Sequence, residues 1–181
     1  MARTGLLLLA LGPVLAAAYA AVNHAAIRTA AKAQVNGPEW EGGRIGADGL
    51  TSLGVDAWRL VWWTALLVGL VAVAYAVIGV LLRRPRRGRA LLLVLSGFLI
   101  VPYVLGFAVA FLNPVRLLAG LYDAADFAAG VPSWQQATAF LLLAAGLAQA
   151  AGLVLAAAEG RRAGAGASDK EALTCQSRTR T

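Results

Sequence analysis

Few side chains in this sequence are candidates for chemistry, and His24, Arg28 and Lys32 are the first of them. Spaced four apart, they form one cationic stripe along a helix. Such a stripe suits a lipid phosphate or a small anion, with Asp123 or Asp126 of a later segment beside it. Solvated surface charge accounts for the same residues, since exposed pairs contribute at most about 1 kcal/mol. The second candidate is a serine hydrolase dyad of Ser96, followed by Gly97, with His24. A nucleophile and its base must lie within hydrogen-bond reach. Ser96 falls near one end of its apolar run and His24 at the opposite end of another, roughly 20 Å apart in depth at 1.5 Å per residue. Ser96 is therefore read as a packing residue. One His and one Cys supply no metal-ligand set and no redox pair. No catalytic, cofactor-binding or metal-ligating residue is assigned, and no cofactor is expected.

The elements that would position these residues are hydrophobic. Of 181 residues, 60% are hydrophobic and 14% charged, and the mean hydropathy is +0.70, above what a soluble core needs. Four runs, 5–22, 60–82, 90–112 and 137–158, contain no Asp, Glu, Lys or Arg. Each has about the 20 residues that a membrane-spanning helix requires and is too long for a buried strand. The expected fold is all-α: an integral membrane four-helix bundle over 1–162, with a short amphipathic outer helix between spans three and four. A disordered cytoplasmic tail is expected over 163–181, where Gly, Ala, Ser, Thr and scattered charges dominate. Cys175 lies in that tail, seven residues from its end, which is not a prenylation position.

The net charge of +7 is not spread over a soluble face, so nucleic acid is not an expected partner. Basic residues gather at Arg3, at Arg83, Arg84, Arg86, Arg87 and Arg89, and at Arg161 and Arg162. These groups fall on one side of the runs, which the positive-inside rule assigns to the cytoplasm. With the tail included, that side holds eleven basic and three acidic residues, against five and six on the other. Both termini are expected inside, in the plasma membrane. The basic link is a topology determinant, and contact with anionic lipid is worth about 1 kcal/mol per residue as an added effect. Ala18-Tyr19-Ala20 has the small-x-small form of a signal-peptidase site. The helical pattern continues unbroken through Ala33, which favours an uncleaved first span; cleavage would leave every later loop on the same side.

Boundary residues refine the picture. Asn36-Gly37-Pro38 ends the first helix, and Asp56 is expected to cap the second span, with Trp58, Trp62 and Trp63 as an interfacial belt. Asn113 and Pro114 open the outer helix and Gly130 closes it, with Leu117, Leu121, Ala125 and Ala128 on its apolar face. Ser133 with Gln136 reads as a capping box for the fourth span, anchored by Trp134. The link 83–89 is short enough to make spans two and three antiparallel neighbours.

Bundle packing is expected on span four, where Ala144, Ala148, Gly152 and Ala156 make a small-residue ridge and Gln149 an interhelical hydrogen bond. The ridge serves packing within the chain or, alternatively, a homodimer. The four spans, the short basic link and Pro132-Ser133-Trp134 before the last span resemble uncharacterised four-span integral membrane proteins of high-GC actinobacteria. That resemblance covers about 1–162 and implies no activity. The functional expectation is a non-catalytic scaffold or accessory subunit that meets the lipid bilayer and another membrane protein or a second copy. The alternatives are a transporter or channel unit formed on oligomerisation, and an outer-leaflet lipid-handling protein.

Overall fold

The computed structural model describes residues 2–38, 40, 42–82 and 89–178. Its helices are α1 (Ala2–Asn36), α2 (Ser52–Leu82), α3 (Arg89–Phe98), α4 (Ile100–Phe111), α5 (Pro114–Leu121), α6 (Ala125–Gly130) and α7 (Ala139–Arg178), with a 3-10 turn, Ser133–Thr138, before α7. Four stretches, Thr4–Asn36, Ser52–Leu82, Ala90–Phe111 and Ser133–Glu159, are long and apolar enough to cross a membrane. The chain is an all-α, multi-pass membrane bundle. The basic link 83–88 and the acidic residues Glu39 and Glu41 lie outside the described residues.

α1 packs chiefly on α7 and α2, while α3 and α4 sit at the edge and form the least enclosed span. One end of the bundle, here the cap end, gathers the end of α1, the start of α2, α5, α6 and the 3-10 turn. A tight loop precedes α2: Gly46 N–H donates to the Leu50 carbonyl at 2.9 Å, and Ile45 and Thr51 form an antiparallel bridge. Gly49 takes φ +76 there, a conformation that suits glycine.

Several boundaries differ from expectation, each for a local reason. α2 begins at Ser52, because the Thr51 hydroxyl accepts from Gly54 N at 3.3 Å and acts as the cap. Asp56 is instead one turn inside α2, 3.6 Å from Arg59 on an exposed face. The third span runs over Ala90–Phe111 as expected, with only a local turn at Leu99, whose backbone stays right-handed helical, one turn before Pro102, which has no N–H for the Phe98 carbonyl. The outer helix is two helices. Asp123 takes a left-handed φ of 51, while Ala124 N–H reaches the Ala119 carbonyl at 3.0 Å and Asp123 N–H the Gly120 carbonyl at 3.3 Å. That bonding pattern ends a helix. The buried side of α5 is Pro114, Val115 and Ala119, whereas Leu117 and Leu121 face outward. Finally, the backbone of α7 is helical through Arg178.

Candidate functional site

The cap end holds a chain of buried amides and hydroxyls joining three distant parts of the sequence. Asn23, on α1, donates through Nδ2 to the Tyr19 carbonyl and the Thr138 hydroxyl, both at 2.9 Å. Its Oδ1 accepts from Gln135 Nε2 at 2.7 Å. Gln135 Oε1 in turn accepts from Asn113 Nδ2 at 2.7 Å, and Thr138 Oγ1 donates to the Gln135 carbonyl at 2.7 Å. Asn113 stands at the α4–α5 junction with φ 54, and its side chain accepts from Arg116 N. Asn tolerates that left-handed conformation better than most residues, so one residue turns the chain, caps α5 and closes the network. All four side chains are buried.

The 3-10 turn explains why Gln135 and Thr138 act together. At three residues per turn, positions i and i+3 eclipse, which brings 135 and 138 to the inward side. The capping box of Ser133 and Gln136 does not form: Pro132 precedes the turn, with no side-chain cap bond, and both residues are exposed. Asn23, Gln135 and Thr138 are absent from the expected site. The only signal for them was polar residues inside or beside apolar runs, without the distances that pair them.

The expected cationic stripe divides. Arg28 and Lys32 are exposed, but the His24 ring leans on Trp58 of α2 at 4.6 Å between centroids, and Trp58 stacks on towards Trp62 at 5.8 Å. Asp123 and Asp126 line a separate hollow with Gln34, Trp40, Tyr122 and Ala124. Asp126 also occupies the space a side chain at Gly37 would take.

Deeper in the bundle, Pro13 sits inside α1. It has no N–H to give the Leu9 carbonyl four residues back, and in an apolar interior that acceptor needs another donor. Gln149 of α7 supplies it, with Nε2 2.8 Å from the Leu9 oxygen. Gly12 leaves room for the amide, because any Cβ there would overlap it. The Leu9 side chain fits between Gly79 of α2 and Gly152 of α7, a Cβ on the latter lying 2.8 Å from Leu9 Cγ. Of the expected ridge, Gly152 and Ala156 are buried, Ala148 is half-buried and Ala144 is exposed. The buried line on α7 runs Leu142, Ala145, Gln149, Gly152 and Ala156.

The Pro13–Gln149 pairing makes a testable expectation. Gln149→Leu should cost about 1–3 kcal/mol by leaving the Leu9 carbonyl bare. In a Pro13→Ala background the helical N–H is restored, and the same change should cost markedly less. Thermal unfolding of the four proteins in one detergent checks this; equal costs in both backgrounds would refute the account.

No group of three or more His, Cys, Asp or Glu positioned for a metal occurs among the described residues. Compared with known protein families, curated proteins and solved structures, the chain matches none.

Proposed function

We propose that the chain is a non-catalytic scaffold or accessory subunit of the plasma membrane, with both termini cytoplasmic and the cap end outside. Its cap end presents a contact face to another membrane protein or to a second copy. The observation that carries this reading is the Asn23–Thr138–Gln135–Asn113 network. These buried polar side chains bond to one another and to backbone, so they hold α1, the α4–α5 corner and the entry to α7 in fixed register. A surface held in advance loses little freedom on binding, which favours recognition. The basic residues of 83–89 and 161–162, which the order of the apolar runs puts at the opposite ends of the spans from the cap segments, support the orientation.

On that face Leu121 is 80% exposed and Tyr122 60% exposed. A photo-crosslinking residue at either position, at native expression, should give a discrete adduct in mild detergent. The same probe at Leu70, exposed midway along α2, should give lipid adducts only. Monomer alone from the cap positions would overturn the proposal. Solute flux through proteoliposomes of the purified chain would replace it with the transport reading.

A further inference from the structure

A cavity of about 350 Å³ lies between the third span, α2 and α7, walled by Tyr75, Ser96, Gly97, Tyr103, Gln149 and Leu153 among others. That volume exceeds the roughly 30 Å³ of a water and reaches the lower end of small-molecule sites, about 300–1,000 Å³. Its position follows from the sequence. Pro102 lies in the span beside it, and Gly97 and Gly146 leave its walls thin; the Tyr103 ring lies against Gly146, where a Cβ would be 2.9 Å from Cε1. Ile100, Val104 and Val154 belong to its walls and are also exposed on the bundle's flank, so the cavity opens sideways, where acyl chains lie.

The polar groups of this cavity define what complements it. The Tyr75 hydroxyl donates to the Ser96 carbonyl at 2.8 Å, the Tyr103 hydroxyl to the Leu142 carbonyl at 3.0 Å, and the Ser96 hydroxyl to the Leu93 carbonyl at 2.7 Å. Each hydroxyl has thus given its proton to backbone and retains only acceptor capacity. Gln149 is 1% exposed, and its Oε1 is buried with no hydrogen-bond partner among the described residues. Its amide cannot be turned round, because the Leu9 carbonyl that Pro13 frees requires the Nε2 donor. The walls therefore offer acceptors in an apolar surround. A cationic donor would lose its hydration with no carboxylate in these walls to replace it, so the matching group is neutral.

We infer that this cavity binds the hydroxyl end of a neutral, lipid-like alcohol entering from the bilayer, its hydrogen bond accepted by the hydroxyl oxygens of the walls, with Gln149 Oε1 the unpartnered acceptor behind them. The apolar body of the ligand lies against Leu153 and the flank of the third span. This site is independent of the cap-end contact face: it concerns what the bundle takes from the bilayer, not what its cap touches.

The test uses the full chain in phosphatidylcholine nanodiscs with two photoreactive probes, a hexadecanol carrying a diazirine on its chain and the O-methyl ether of the same molecule. The alcohol should label peptides covering 96–104 and 146–154 about tenfold more than the ether, the penalty for leaving a buried acceptor unpaired. Gly97→Leu fills the cavity: a Cβ at Gly97 meets no atom within 4 Å, so the variant should fold with unchanged or higher thermal stability yet lose the labelling. Equal labelling by alcohol and ether would reduce the cavity to a groove for any acyl chain and overturn the inference. Labelling undiminished in a folded Gly97→Leu protein, or no labelling of these peptides by the alcohol, would overturn it as well.

Discussion

Gly152→Leu should lower the thermal stability of the bundle in detergent by about 4–8 °C, against a degree or two for Leu153→Ala next to it. The difference lies in what each residue touches. A Cβ at Gly152 would already be 2.8 Å from Leu9 Cγ and 3.0 Å from the Gly5 carbonyl oxygen. The leucine side chain can rotate, but the carbonyl belongs to the α1 backbone and moves only if the whole helix moves. Overpacking of this kind costs on the order of 1–3 kcal/mol, occasionally more. The helix-propensity gain on replacing glycine, about 1 kcal/mol, offsets part of it. Leu153 is half-buried, and its truncation exposes surface that lipid or detergent can cover. Gly152→Ala, where the propensity gain meets only the close contacts of one added Cβ, should fall between. Equal or smaller damage from Gly152→Leu would mean that α1 and α7 do not meet there.

The spans were plain in the sequence because each is a long apolar run without a charge, and length alone separates such a helix from a strand. How the spans meet was less plain. The repeat of small residues at 144, 148, 152 and 156 is a fourfold spacing, whereas the buried line of α7 at 142, 145, 149, 152 and 156 alternates steps of three and four. Two helices crossing at a shallow angle share the latter spacing, so the upper part of the expected ridge turned outward. Pro13 was visible, but that its freed carbonyl would be met by Gln149 depends on a contact across 140 residues of chain. Local motifs misled where a neighbour outweighed them. Ser133 with Gln136 has the spacing of a capping box, yet Pro132 before it and the 3-10 geometry after it turned Gln135 inward instead. Asp123 ends α5 without the glycine that ordinarily marks a left-handed stop.

Removing Asn23 should destabilise the cap end by more than the loss of its own bonds, because each partner it leaves is buried. In Asn23→Ala, Gln135 Nε2 loses its acceptor and the Thr138 hydroxyl loses a donor, at about 1–3 kcal/mol for each stranded group. Gln135→Ala strands Asn23 Oδ1 and Asn113 Nδ2 in the same way. The double variant removes both ends of the Asn23–Gln135 bond at once, so one set of stranded atoms disappears. Two stranded atoms are spared, so its cost should fall short of the sum of the single changes by about 2–3 kcal/mol, as expected for residues in one network. Ser133→Ala and Gln136→Ala, which touch only the exposed side of the same turn, should change stability by about 0.5 kcal/mol or less. Thermal unfolding in detergent gives all five values. Amide hydrogen exchange over 113–121 and 133–138 localises the loss, since the corner and the turn should open first in either single variant. Additive costs for Asn23 and Gln135 would mean that the two amides act separately, and with them would go the argument that the cap is held as one body.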